Sequence, residues 1–140
     1  MGPHDAKRRL IWHGIFLFML GLLSGVVVPI VRNPRMGLSA HLGGVLDGMF
    51  LVLLGLMWPD LRMPPRLAIA TFWVVLVAAY AGWAAQLVAA AFGTSWVMPI
   101  AGAGYVGTWW QETLVAFIAG SFSLAILIAC GLLLYGLRRE

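Results

Sequence analysis

The stretch of sequence that says most about the fold is NPRMGLSAHLGGVLDG, residues 33–48. It begins with a loop-forming proline and glycine, and it then places His41 and Asp47 in an otherwise apolar run that continues to Trp58. Ionisable side chains inside a membrane helix are energetically costly, and they usually have a functional role. The stretch therefore predicts a membrane-spanning helix that contacts a bound cofactor or substrate.

The composition of the whole chain also indicates a membrane protein. Of the 140 residues, 62% are hydrophobic and only 10% are charged, which is too few charges to cover the surface of a soluble domain. Four apolar spans each reach the roughly 20 residues needed to cross a bilayer. They are residues 10–31, 38–58, 67–92 and 109–137. We therefore predict an all-α integral membrane protein, with residues 1–140 forming one domain, a four transmembrane helix bundle.

The basic residues predict the orientation of these helices. Seven of the nine lie at the termini or in the second loop, namely Lys7, Arg8, Arg9, Arg62, Arg66, Arg138 and Arg139. Because cytoplasmic segments carry an excess of lysine and arginine, we expect both termini on the cytoplasmic side of a bacterial inner membrane. The net charge of +4 then reflects topology, and it gives no reason to expect nucleic acid as a partner.

Two glycines lie on the same helix face as His41. Gly44 and Gly48 follow it by three and seven positions, which is the spacing of one helical face. A histidine with no side-chain bulk beneath it is typical of a metal ligand that leaves space for a flat macrocycle. We therefore predict His41 as a metal ligand and Gly44 and Gly48 as cofactor-binding residues. A core histidine satisfied by hydrogen bonds is the alternative.

Three further polar residues share the outer half of the membrane with His41 when depth is counted at ~1.5 Å per residue. Asp47, Gln86 and Glu112 are the candidate catalytic residues. Each has a structural alternative: pairing with Arg35 or a hydroxyl for Asp47, an interhelical hydrogen bond for Gln86, and a helix cap for Glu112.

Aromatic residues and an uncharged loop complete the predicted site. Tyr80 and Trp83 are candidate walls of a substrate pocket, with plain packing as their alternative. His13 is predicted to lie at the cytoplasmic interface, outside the site. The third loop, residues 93–107, is uncharged and is expected to lie against the helix ends as a cap.

The spacing of His41 and Asp47 predicts that they face different surfaces. At 100° per residue they lie about 240° apart around the helix, so one small pocket cannot contain both. If His41 binds a cofactor, Asp47 is expected to serve another surface, such as the site of a neighbouring subunit. This favours an oligomer.

Motifs that carry a family resemblance run through most of the chain. They are Asn33-Pro34-Arg35-x-Gly37-Leu38-Ser39-x-His41-Leu42, Gly48-Met49-Phe50-Leu51, Leu54-Gly55-Leu56-x-Trp58-Pro59, Met98-Pro99-Ile100-Ala101, Gly107-Thr108, Gln111-Glu112 and residues 121–124. Together they resemble hydroxylaminobenzene mutase, and the motif on the second helix is the most specific. That enzyme converts hydroxylaminobenzene to 2-aminophenol in the bacterial breakdown of nitroaromatic compounds. The resemblance implies the same isomerase activity and a small aromatic substrate here.

A more distant resemblance is to styrene oxide isomerase, another small four-helix membrane isomerase. The chain has the His-Gly-Ile of that family at His13-Gly14-Ile15, and it has His41-x5-Asp47-Gly48 where the family has His-x5-Asn-Gly. Members of that family contain b-type haem, ligated by this second histidine, and they assemble as trimers. The resemblance therefore implies haem b, iron ligation by His41 and a homotrimer.

The third helix departs from the styrene oxide isomerase pattern. That branch uses an Asp and a Tyr around its Gly-Trp-Ala, whereas Gly82-Trp83-Ala84 is flanked here by Ala81 and Ala89. The departure favours the mutase reaction over an epoxide isomerase. In the mutase reaction, haem iron would act as a Lewis acid on the substrate oxygen, and Asp47 would stabilise a cation or move a proton.

Two non-enzymatic alternatives remain at this stage, a haem-binding membrane protein and a small transporter. Haem held by two histidines would need a second histidine near His41 in the outer leaflet, and the sequence provides none there. A transport path would need polar residues deeper than Asp47, and few are present.

Overall fold

The fold consists of four long helices, seen in a computed structural model that describes residues 2–138. The helices are α1, Pro3–Val27; α2, Pro34–Met57; α3, Pro65–Phe92; and α4, Trp109–Gly136. A 3₁₀ turn extends α1 over Val28–Ile30, and another extends α2 over Trp58–Asp60. All four helices are long and apolar enough to cross a membrane, which confirms the predicted four-helix membrane bundle. Met1, Arg139 and Glu140 belong to the predicted domain but lie outside the described residues. Arg139, one of the basic residues used to predict the orientation, is therefore outside them too.

Prolines mark where three of the helices begin. Pro3, Pro34 and Pro65 each lie in a first turn, where a missing amide hydrogen is tolerated and the fixed φ is already helical. The Asn33 side chain caps α2 by accepting hydrogen bonds from two amides of its first turn, at 3.1 and 3.2 Å. Helices α1 and α2 therefore begin earlier than the predicted residues 10 and 38.

Glycines allow α1 and α2 to pack closely. A Cβ at Gly21 would lie 2.5 Å from the backbone nitrogen of Val45, and a Cβ at Gly48 would lie 2.5 Å from the backbone nitrogen of Phe18. Any side chain at these positions would push the two helices apart. The close packing of α1 on α2 therefore determines which side of α2, and which of its polar residues, faces α1.

The other two helices pack in sequence, α3 on α2 and α4 on α3. Within the described residues, no Cα atom of α4 comes within 8 Å of α1 or α2. Side chains from α2, α3 and α4 still share one apolar core, which includes Leu54, Phe72 and Leu133. The bundle is consequently less tightly closed along α4 than between α1 and α2.

The loop between α3 and α4 lies over the helix ends, as predicted. Residues at the start of α2 hold it from one side: the Asn33 side chain donates to the carbonyl of Ala101 at 2.9 Å, and Arg35 donates to the carbonyl of Ala103. Gly93 ends α3 with a φ of +68°, a left-handed conformation that favours glycine. We call residues 94–107 the cap loop.

Candidate active site

The His41 side chain lies against α1. Its Nδ1 is 2.8 Å from the carbonyl oxygen of Gly21, and a Cβ at Gly25 would lie only 2.7 Å from the same nitrogen. Because a carbonyl oxygen only accepts hydrogen bonds, Nδ1 must carry the proton, and Nε2 keeps its lone pair. Metal-binding histidines are typically oriented by such a bond, and a core histidine is satisfied by the same bond, so metal ligation by His41 through Nε2 stays a prediction.

Gly44 and Gly48 do not provide the space that the sequence suggested. A Cβ at Gly44 would lie 2.7 Å from both the Cα of Gly21 and the Cδ1 of Trp83, and a Cβ at Gly48 would lie 2.7 Å from the carbonyl oxygen of Gly14. Helices α1 and α3 already fill the volume beside these glycines. Their interpretation as clearance for a macrocycle is therefore corrected: they let the helices pack closely.

The opposite side of α2 faces α3. A Cβ at Gly43 would lie 2.8 Å from Nε2 of Gln86, whereas His41 contacts α1. Residues two positions apart on a helix point about 200° away from each other. Within one chain, His41 therefore faces α1, and Gln86 of α3 lies against the opposite side of α2.

Asp47 follows Gly43 by one helical turn and lies on the same side of α2. The residue is half-buried, and it forms no hydrogen bond or ion pair with any described residue. Arg35, a partner considered from the sequence, binds the cap loop instead. Since an unpaired carboxylate in a membrane helix is costly, its persistence here is consistent with a functional task.

Glu112 holds the cap loop in place. Its side chain is only 1% exposed, and its carboxylate accepts hydrogen bonds of 3.0–3.1 Å from the backbone amides of Ser95, Trp96 and Gly107. The negative charge also lies in the first turn of α4, where the helix dipole favours it. The structure thus gives Glu112 a positioning task in place of the predicted catalytic one, because the loop amides occupy its carboxylate.

A cavity of about 180 Å³ lies between α3 and α4 under the cap loop. Its walls are mainly apolar and include Ala85, Val115, Ala119 and Phe122. Gln86 also lines it, and this side chain makes no hydrogen bond with any described residue. The predicted site residue Gln86 is thus available to a ligand in this cavity.

Thr94 is a cavity residue that the sequence analysis missed. It is 1% exposed, and its Oγ1 has no hydrogen-bond partner among the described residues. Its methyl group faces Gly107, where a Cβ would lie 2.8 Å from Cγ2. The only hint in the sequence was a hydroxyl directly after Gly93 in a loop without charges.

Tyr80 and Trp83 connect α3 to α1 and do not line this cavity. The Tyr80 hydroxyl lies 3.1 Å from Nδ1 of His13, and the Trp83 indole donates to the hydroxyl of Ser24 at 2.9 Å. His13 thus pairs with α3, and its predicted place at the cytoplasmic interface stays a prediction.

Comparison with known proteins identifies the group to which the chain belongs. The profile of the styrene oxide isomerase family matches residues 6–138. The chain belongs to the styrene oxide isomerase family. Among curated proteins, it is 50% identical to hydroxylaminobenzene mutase HabB of Ectopseudomonas oleovorans over 94% of this chain and 80% of that protein. It is 39% identical to hydroxylaminobenzene mutase HabA of the same organism, over 90% of this chain and 94% of that protein. No solved structure matches the chain.

These relationships confirm the predicted resemblance and show that the chain is an isomerase of the mutase type. The two non-enzymatic alternatives, a haem-binding protein without activity and a transporter, are therefore set aside. The styrene oxide isomerase family assignment also agrees with a small-molecule substrate and a multi-pass membrane location.

His41 is the residue of the described chain that could hold a haem. No cluster of three or more His, Cys, Asp or Glu side chains suited to a metal occurs in residues 2–138. A haem brings four nitrogen ligands of its own and can be held by a single side chain of the protein. His41, with Nδ1 bonded to a carbonyl and Nε2 left for a metal, could be that side chain.

Proposed function

We propose that this protein converts hydroxylaminobenzene-type arylhydroxylamines to 2-aminophenols. The observation that carries the proposal is the 50% identity, over nearly the whole chain, to a protein named hydroxylaminobenzene mutase. The alanines at positions 81 and 89 support it, because they stand where the resemblance places an Asp and a Tyr in the epoxide-isomerising branch.

The reaction is an isomerisation that needs no oxidant or reductant. The N–O bond of the arylhydroxylamine breaks, the oxygen is delivered to the ortho carbon, and a proton moves from that carbon to nitrogen. Positive charge develops on the aromatic amine as the N–O bond weakens. Asp47, a carboxylate without a partner in the described chain, is proposed to stabilise this charge and to accept the proton.

We propose haem b as the cofactor, which His41 would hold through its Nε2 atom. When bound, haem b supplies an iron that can act as a Lewis acid towards the substrate oxygen. The protein contributes the orientation of His41 through the Gly21 carbonyl. It also contributes apolar surroundings that keep water from the developing cation.

The proposed assembly is a homotrimer in the bacterial inner membrane, with both termini in the cytoplasm. His41 and the cavity-lining Gln86 lie on different sides of α2 in one chain. In a closed ring of copies, the His41 side of one chain can face the cavity side of the next. The complete site would then combine residues of two copies.

The test is an absorption spectrum and a product assay on the purified protein. Wild-type protein is expected to show a Soret band and to convert hydroxylaminobenzene to 2-aminophenol, with styrene oxide as the comparison substrate. His41→Ala is expected to lose the Soret band while remaining folded, and His13→Ala is the matched histidine control that keeps it. Conversion at the full rate without a Soret band would reject haem but not the mutase assignment. A haem-loaded protein without conversion would reject the mutase assignment.

A further inference from the structure

The cavity between α3 and α4 has the size and chemistry of a site for one aromatic ring. Its volume is about 180 Å³, close to the roughly 150 Å³ of an engineered apolar cavity that binds benzene. Its walls come from the apolar side chains Ala85, Val115, Ala119 and Phe122. A single ring with a small substituent fits this space.

Two polar side chains at this cavity lack partners in the described chain. Thr94 Oγ1 is buried without a hydrogen bond, and the Gln86 amide makes none. Ser123, which also lines the cavity, differs because its hydroxyl already donates to the carbonyl of Ala119 at 2.8 Å. Buried polar groups are nearly always hydrogen-bonded, so an orphaned hydroxyl needs an explanation. A ligand with a polar substituent provides one.

The cap loop is fixed in a way that keeps Thr94 at this place. Glu112 binds the amides of Ser95 and Trp96, which directly follow Thr94. Gly107 presses against the threonine methyl group. These contacts maintain a costly orphaned hydroxyl beside the cavity, as expected for a preorganised binding group.

We propose that this cavity binds the aromatic ring of the substrate, and that Thr94 and Gln86 hydrogen-bond its nitrogen-bearing substituent. The substrate class rests on the proposed function, whereas the location rests on the cavity and its unpartnered groups. Thr94 and Gln86 are then specificity-determining residues that select a ring carrying a hydrogen-bonding group over a plain hydrocarbon.

Equilibrium binding of unreactive analogues to the haem-loaded protein in detergent tests the location. The probes are aniline and toluene. Aniline should bind more tightly than toluene. Thr94→Val keeps the shape and removes the hydroxyl, so it should weaken aniline binding about tenfold, as expected for one lost hydrogen bond. Toluene binding should not change.

The unfolding temperature distinguishes a threonine that binds the ligand from one that only stabilises the fold. Without ligand, Thr94→Val should unfold at the same temperature as the wild type or a higher one, because the valine removes a buried hydroxyl that has no partner. Thr113→Val is the control, since the Thr113 hydroxyl donates to the carbonyl of Trp109 on an exposed surface. Lower stability of Thr94→Val, with unchanged aniline affinity, would overturn the proposal.

A second pair of variants tests the ring site itself. Ala119→Leu fills the cavity and should abolish binding of aniline and toluene and raise KM for hydroxylaminobenzene. Gly120→Leu adds the same side chain where a Cβ would meet no atom within 4 Å, and it should bind like the wild type. Unchanged binding and KM in Ala119→Leu would reject the cavity but leave the mutase assignment intact. Normal binding of aniline without any conversion of hydroxylaminobenzene by the wild type would reject the mutase assignment but keep the cavity.

Discussion

At the scale of single residues, Asp47 and Glu112 are two carboxylates in apolar helices with opposite environments. The carboxylate of Glu112 is bound by three backbone amides of the cap loop. Asp47 has no partner among the described residues. A carboxylate that is fully hydrogen-bonded by its own chain has little capacity left for a substrate, whereas an unpaired one keeps its full capacity. The chemistry is therefore expected at Asp47.

Asp47→Asn removes the charge and keeps the shape and most of the hydrogen-bonding capacity. If the charge stabilises a developing cation, turnover of hydroxylaminobenzene should fall by ~10²-fold or more, the scale for loss of one preorganised electrostatic group. Haem content and unfolding temperature should barely change, because the carboxylate makes no hydrogen bond or ion pair with a described residue that would be lost. Steady-state kinetics, absorption spectra and thermal unfolding measure the three quantities.

The control for this variant is Asp60→Asn, which removes an aspartate from the exposed turn after α2. It should convert hydroxylaminobenzene at the wild-type rate. If Asp47→Asn also keeps a near-normal rate, the charge is not needed, and Asp47 becomes a structural carboxylate.

At the scale of elements, Glu112 joins α4 to the cap loop. Glu112→Ala would leave three backbone amides without their acceptor, and each such loss costs about 1–3 kcal/mol. The variant should unfold at a lower temperature, and its cap loop should be cleaved faster by a protease added from outside. Glu112→Gln keeps one acceptor oxygen and should be affected less.

Thr113→Val serves as the control for the cap-loop experiment, since it lies one residue further along α4 with its hydroxyl on the exposed surface. It should behave like the wild type in both assays. Equal stability and equal protease resistance for Glu112→Ala would mean that the contacts of Asn33 and Arg35 are enough to hold the loop.

The elements themselves could be read from the sequence, but their contacts could not. Apolar length determines a spanning helix, so α3 and α4 begin and end within two residues of the predicted bounds. The early starts of α1 and α2 depend on a proline tolerated at the first helical position. The pairing of His13 with Tyr80 joins residues 67 positions apart, and no local pattern encodes it. Thr94 was missed for the same reason, since burial of its hydroxyl depends on α4.

At the scale of the whole molecule, the separation of the two sides of α2 sets the main constraint. His41 is held against α1, and Gln86 contacts the other side of α2 and lines the cavity. Helix α2 therefore separates a substrate in that cavity from a cofactor held by His41 of the same chain. In a ring of copies, one copy can contribute its His41 side and the next copy its cavity side to the same site.

Mixed assemblies test whether one site uses two copies. His41→Ala should be inactive alone because it lacks the proposed haem ligand, and Ala119→Leu should convert low concentrations of hydroxylaminobenzene only slowly because its ring cavity is filled. When both are co-expressed and purified together through different tags, some interfaces pair an intact His41 with an intact cavity. In a closed ring of three copies, every assembly that contains both variants has one such interface among its three, so about one third of the wild-type rate should return. The double variant His41→Ala/Ala119→Leu, co-expressed with either single variant, cannot form such an interface and is the matched control. No recovery in the mixed assemblies would contradict a site shared between two copies and would mean that His41 and the cavity act within one and the same copy.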